Sequence, residues 1–316
     1  MGEAYYDAGA EANYGGDFAP WNNGWAYRND NVDIQYNDDP LSNGYNVGWI
    51  ESDEWMQYTL KEPKSGVYNI KVRVATEDND GNFYFKINDN QVTEIIDVPS
   101  TGSWTDWSFI SIDSLVVYDS DQKFIFQVKN GTFNLGFFEF ERISDINLLQ
   151  TKYISSFTLS ENSININFNK NLDNTLLLNK SDFKLYINEQ EIDIESAAFS
   201  SSPRSIVLNF DNDIQPTDII TLSYIGNTIK SLDGEILNNF NNEIVENKIS
   251  FIHTIPGKIE AEHFFNQKGI ELEASSDENG GLNIGSLDNG DYADYYVNIE
   301  SGGTYNAIYR SAADPN

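Results

Sequence analysis

The chain has 316 residues, with 50 acidic side chains against 19 basic ones and a formal net charge of −31. Such a field repels phosphate backbones and anionic surfaces, and no basic stripe interrupts it, so neither nucleic acid nor a membrane is expected as a partner. There is no cysteine, hence no disulfide or thiol chemistry, and no apolar run of about 18 residues exists to span a bilayer.

Residues 1–45 show little periodicity and read as loop, with Trp21 and Trp25 flanking Asn-Asn-Gly. Met1–Asp7 has neither a basic start nor an apolar stretch, so it is not read as a signal peptide. Short strands begin at Trp55-Met-Gln-Tyr-Thr-Leu. Tyr68, Ile70, Val72 and Val74 then alternate onto one face. Asp80-Gly81 is a hairpin signal before the strand Phe83–Ile87. Further strands are expected over 109–112, 123–128 and 135–140. Short strands at this spacing, with Gly and Asn turns, predict a β-sandwich.

Past residue 145 tryptophan disappears and Asn, Ile and Leu rise. Ser163-Ile-Asn-Ile-Asn-Phe alternates strictly, and 183–187, 205–210 and 219–224 nearly do. This predicts a second, smaller sandwich, whose pattern resembles a bacterial Ig-like spacer. Thr254-Ile-Pro-Gly reads as a linker, and Lys258–Phe264 as the strand that opens the last segment.

A repeat joins the two ends. Gly44–Trp55 returns as Gly281–Tyr292, and the match runs without a gap to Asn79 and Asn316, always offset by 237. Gly44/Gly281, Asn46/Asn283, Gly48/Gly285, Tyr58/Tyr295, Gly66/Gly303, Tyr68/Tyr305, Arg73/Arg310 and Ala75/Ala312 are identical. Two copies of one β-module therefore flank an unrelated middle.

The ordered phrases Ala26–Ile34, Gly44–Trp49, Glu54–Tyr58, Ser100–Trp107 and Phe133–Phe140, with Ile259-Glu-Ala-Glu and Gly281-Leu-Asn-Ile-Gly in the second copy, resemble family 6 carbohydrate-binding modules. The resemblance implies an all-β chain: a jelly-roll β-sandwich over 1–145, the Ig-like β-sandwich over 146–252, and the N-terminal half of a second jelly roll over 256–316. It implies that two rings, Trp49 and Trp104, clamp a terminal sugar, and that the Asn134 amide holds its hydroxyls. Gln35 stands where the family has Glu. Trp55 would serve a second cleft on the concave face. In copy two Glu273 keeps the acidic position, and Ser286 replaces the first ring. Glu260 and Glu262 match carboxylates that bind a structural Ca²⁺.

The chemistry is consistent with that reading. A pyranose has apolar C–H faces and a rim of hydroxyls; an indole offers a flat contact surface, and an amide both donates and accepts. Packing explains some of the same residues. Alternation from Val47 would bury Trp49, Trp55-Met-Gln-Tyr-Thr also reads as a core strand, and Trp107 reads as core. The expected partner is a neutral polysaccharide or oligosaccharide of the cellulose, β-glucan or xylan type. The chain is expected to be secreted and non-catalytic, and linked covalently to a polysaccharide-degrading catalytic domain. An adhesive or structural array, or a glycosidase within this chain, are the alternatives.

Overall fold

The computed structural model describes Tyr5–Tyr6, residues 32–275 and residues 281–311. It divides into two compact units, residues 1–212 with 219–246, and residues 213–218 with 247–316. Trp21 and Trp25 lie outside the described residues.

Alternation builds the first sandwich. Its strands are β1 (Tyr5–Tyr6), β2 (Ile34–Tyr36), β3 (Tyr45–Val47), β4 (Trp55–Thr59), β5 (Gly66–Ala75), β6 (Asn82–Ile87), β7 (Asn90–Gln91), β8 (Ile96–Asp97), β9 (Ser108–Val117), β10 (Lys123–Asn130) and β11 (Asn134–Ser144). A six-stranded sheet runs β1-β4-β10-β6-β7, with β8 also on β6; a five-stranded sheet runs β2-β3-β11-β5-β9. Ile70, Val72 and Val74 point inward from β5, and Phe83, Phe85 and Ile87 from β6. With Phe124, Phe126 and Phe133 they make an aromatic core, its rings 4.6 Å apart at Phe85–Phe124 and 4.8 Å at Phe83–Phe126. The chain is all-β, and this sandwich has the jelly-roll build.

The Asp80-Gly81 signal resolves differently from expectation. It turns the chain, but from β5 in one sheet to β6 in the other. A Cβ on Gly81 would sit 2.7 Å from the Phe133 ring, so the glycine serves close packing across the sandwich rather than a hairpin.

The second sandwich comprises β12 (Tyr153–Ser160), β13 (Ser163–Phe168), β14 (Phe183–Ile187), β15 (Gln190–Ile192), β16 (Ile194–Phe199), β17 (Ser205–Phe210), β18 (Ile220–Tyr224) and β19 (Phe240–Val245). Its sheets run β12-β13-β17-β16 and β15-β14-β18-β19, around Ile164, Ile166, Leu185, Leu208, Leu222 and Tyr224, all fully buried. It belongs to the same compact unit as the first. Arg204, 1% exposed, bonds Asp121 Oδ2 at 2.9 Å and the Val116 carbonyl at 3.1 Å. Its guanidinium lies 5.1 Å from the centre of the Tyr118 ring. A buried, fully bonded guanidinium is a fixed joint, so the two sandwiches are not beads on a flexible tether.

The second unit holds β20 (Ile252–Ile255), β21 (Asn266–Lys268), β22 (Glu271–Ala274), β23 (Leu282–Gly285), β24 (Tyr292–Asp294) and β25 (Tyr296–Ile299), in three two-stranded pairs. The opening strand expected over 258–264 does not form. Its backbone turns instead, with the His263 N–H donating to the Glu260 carbonyl. A strand persists only with a ladder partner, and β25 pairs in parallel with β20. Residues 303–311 carry the β5 pattern yet form no strand either. β5 is held between β9 and β11, and among the described residues no strand flanks 303–311 in that way.

Phe85→Ala would open a cavity where four rings meet. The expected cost is about 3–5 kcal/mol, read as a shift of the urea midpoint for the first unit.

Candidate functional site

The β2–β3 hairpin sets one wall. Gln35 pairs with Asn46 across it, so both side chains leave the same face. The strand ends at Gly48, whose N–H donates to the Asp33 carbonyl at 3.0 Å. A Cβ built on Gly48 would lie 3.1 Å from Asn134 Oδ1 and 3.3 Å from Gln35 Nε2. The two amides therefore converge over a glycine that makes room for them. Trp49 follows with φ of 49°, a left-handed conformation costly for a bulky residue. That break in the alternation is what keeps its ring 45% exposed.

The other wall is the loop over 100–106. Thr101 is tied to Thr76 in both directions, its hydroxyl accepting from the Thr76 N–H at 2.8 Å and its N–H donating to the Thr76 carbonyl at 2.9 Å. Ser103 Oγ accepts from the N–H groups of Thr105 and Asp106. Trp104, at the tip, is 38% exposed. Asn134 Nδ2 donates to the Trp104 carbonyl at 2.9 Å. Asn134 is itself buried, so it fastens the loop to the sheet while its Oδ1 faces the space over Gly48.

Four of the expected residues thus come together: Gln35, Trp49, Trp104 and Asn134. Trp55 does not join them. Met56 packs into the core, so alternation puts Trp55 on the outer face of the six-stranded sheet, opposite Tyr6 and Gln127.

Other contributors were not singled out from sequence. Arg73 makes a two-pronged pair with Asp39, at 2.9 and 3.0 Å, and lies 4.7 Å from the centre of the Phe109 ring. The pair anchors the 37–44 connection of the β2–β3 hairpin. The Arg73/Arg310 repeat identity was the available signal. Gly136 lets Arg73 and Trp107 lie close to β11, since a Cβ there would be 3.1 and 3.2 Å from their side chains. Trp107 is half-buried, as its core reading required in part, with its indole N–H unbonded.

Copy two repeats this backbone. Glu273 pairs with Asn283 as Gln35 does with Asn46, and a Cβ on Gly285 would strike the Glu273 carboxylate. Ser286 has φ of 55°, matching Trp49, and Gly281 has φ of 95°, matching Gly44 at 91°. The ring is absent: the Ser286 hydroxyl donates to Glu271 Oε2 at 2.9 Å.

Ca²⁺ takes six to eight oxygen ligands. Glu260 is engaged by Lys258, and Glu262 lies beyond it in the same turn. Among the described residues no group of three or more His, Asp or Glu is placed to hold a metal. Glu260 and Glu262 are thus not joined by a third carboxylate or imidazole among the described residues.

A two-sheet sandwich whose loop end gathers two exposed indoles and two amides has surface chemistry suited to polyhydroxylated ligands. The family model "Carbohydrate binding module (family 6)" matches residues 26–142 and 260–316, and the chain belongs to that family. A curated relative, the clotting factor G alpha subunit of Tachypleus tridentatus, is 33% identical over 100 residues, covering 31% of this chain and 13% of that protein. This chain therefore matches only a small part of that relative's length. Among solved structures, the module from Cellvibrio mixtus lichenase 5A with cellotriose is 25% identical, covering 35% of this chain and 87% of that one, with a TM-score of 0.32. The C-terminal module of a Zobellia galactanivorans laminarinase is 29% identical, covering 35% and 89%, with a TM-score of 0.31.

Two outcomes follow from the geometry. Gly48→Ala should displace the Gln35 and Asn134 amides by a few tenths of an ångström and weaken ligand binding, while the thermal midpoint moves little; calorimetric titration beside a melting curve separates the two effects. The Arg73 bonds hold the Asp39 carboxyl below the usual aspartate range. A lowered folded pKa gives stability that is present above roughly pH 4 and lost as pH falls below it. Asp39→Asn should flatten that acid limb in urea midpoints measured from pH 6 to pH 3.

Proposed function

We propose that the first sandwich binds a neutral β-glycan of the cellulose, β-glucan or xylan type at its loop end, with Trp49 and Trp104 as the clamp and Gln35 and Asn134 on the hydroxyls. The observation that carries this is the meeting of both amides over Gly48, beside two indoles held out of the core. Indoles stack on the apolar faces of a sugar ring. Asn134 Oδ1 offers an acceptor, and Gln35 offers both a donor and an acceptor. Neither is charged, which suits a neutral ligand.

Affinities of mM to μM correspond to about 4–8 kcal/mol, within reach of two stacked rings and a few hydrogen bonds. Copy two keeps the hairpin but has a hydroxyl for the first ring and a carboxylate for the amide, so it contributes weaker binding. The chain has no catalytic role in this reading. It serves as an accessory region of a secreted polysaccharide-degrading enzyme, with the Ig-like sandwich between its two modules, and holds that enzyme near its polymer by raising effective concentration.

The test is calorimetric titration with cello-, laminari- and xylo-oligosaccharides. Trp104→Ala should weaken binding of the preferred sugar about 10- to 100-fold, or 1.4–2.8 kcal/mol, with circular dichroism unchanged. Equal binding by wild type and Trp104→Ala would overturn the clamp. No binding to any of the three series would point to an adhesive or structural role. Release of reducing sugar by the purified chain would overturn the non-catalytic reading.

A further inference from the structure

Each sandwich contains a strand buried on both faces. In β10, Phe124, Phe126 and Val128 fill the first core. Ile125 and Gln127 point the other way, yet are only 5% and 9% exposed. In β13, Ile164, Ile166 and Phe168 fill the second core. Ser163, Asn165 and Asn167 point the other way and are buried as well. An antiparallel sheet in a lone sandwich keeps one face in water, so both outer faces have a cover.

The cross-contacts identify it. Ser205 Oγ, on β17 beside β13, lies 2.9 Å from Asn167 Oδ1 and 3.4 Å from Asn90 Oδ1 on β7. Lys129 Nζ, at the end of β10, lies 2.6 Å from Glu246 Oε1, just past β19. Arg204 locks the far end of the sandwich against Asp121 and Val116. Tyr84, next to Gln127 on that face, has its hydroxyl pushed up to about 12 by burial and by the carboxylates of Glu246 and Asp53.

The covered face is the one that bears Trp55. With Tyr84, Lys86 and Gln127 it has the aromatic and amide chemistry that sugars bind. Of these, Tyr84, Lys86 and Gln127 are already engaged, Lys86 Nζ lying 5.4 Å from the centre of the Tyr84 ring. Gln127 Oε1 accepts from Lys86 Nζ at 2.9 Å, and Nε2 donates to the Asp53 and Glu54 carbonyls.

We infer that the second sandwich is a fixed cover over the outer face of the six-stranded sheet, and that it closes the Trp55 face to glycan and leaves the loop end as the first module's one sugar site. A sugar chain laid from Trp55 across the sheet would have to displace Glu246, held there by Lys129, and the Ser205–Asn90 contact. The single-site part of this inference rests on the proposed loop-end function; the docking part does not.

The chain has no native cysteine, so Asn90→Cys/Ser205→Cys in the full chain tests the docking directly. Spontaneous formation of the disulfide, with binding of cellohexaose or laminarihexaose equal to wild type before and after reduction, is expected. Gln127→Cys should react with a maleimide at least about tenfold more slowly than Thr59→Cys, because the nucleophilic thiolate must be reached. Failure to cross-link, or labelling of Gln127→Cys as fast as Thr59→Cys, would overturn the docking. Trp55→Ala should leave hexasaccharide affinity unchanged and stoichiometry at one for the first module. A loss of about tenfold or more in Trp55→Ala would overturn the closure. If no oligosaccharide binds at all, the proposed function fails, while cross-linking and labelling still decide the docking.

Discussion

The hydrogen bond from the Asn134 amide to the Trp104 carbonyl is the contact on which the loop end depends. Asn134 begins β11, whose place is set by Phe133 and Leu135 in the core. The aromatic core thus fixes a strand, the strand fixes an amide, and the amide fixes the loop that carries an exposed indole. A buried amide left unpaired costs about 1–3 kcal/mol, so the loop is held by the same group that faces the space over Gly48. Precision at the surface is inherited from packing several residues away. The tie also explains how an exposed tryptophan can be kept in place on a loop whose own residues bury little.

The repeated hairpin separates scaffold from chemistry. Gly44 and Gly281, Trp49 and Ser286, and Asp53 and Gly290 share left-handed backbone at corresponding positions. Non-glycine residues in that region cost of order 1–3 kcal/mol, and the same three turns occur in both copies. The side chains they present have diverged: an indole became a hydroxyl, and an amide stands opposite a carboxylate. The backbone is thus the retained device and the side chains the variable one, as expected of a fold whose chemistry resides in grafted sites.

Much of this was legible in the sequence, for a physical reason. Period-two alternation reports a strand with one face on the core, as in β5 and β6; β13 alternates in sequence as well, although both of its faces are buried. The 237-residue offset exposed the repeat, and an indole amid Ser, Thr and Gly had little to pack against, so Trp104 was readable as exposed. What escaped were contacts between residues far apart in the chain. Arg204 and Asp121 are 83 residues apart, and nothing local distinguishes a buried arginine from a solvated one. Asp80-Gly81 misled because local turn chemistry cannot say which sheet the next strand joins. Trp49 stayed ambiguous until its φ was known, since alternation and exposure predicted opposite fates for it. The Lys258–Phe264 strand failed because pairing is a property of two segments, and its pattern described only one.

Charge and site also divide the work. With a net charge of −31, the surface opposes acidic polymers at long range, but salt shortens that reach to about 8 Å at physiological ionic strength. Close discrimination must therefore come from the pocket itself. There the first module presents two amides, and the scarce cations are spent elsewhere: Arg73 on Asp39, Arg204 on Asp121, Lys129 on Glu246. Each joins two parts of the fold, the first tying the β2–β3 hairpin to its own sheet and the other two tying one sandwich to the other. Three positive side chains in a strongly acidic protein thus sit where separate segments meet, while the two side chains that converge over Gly48 are uncharged amides.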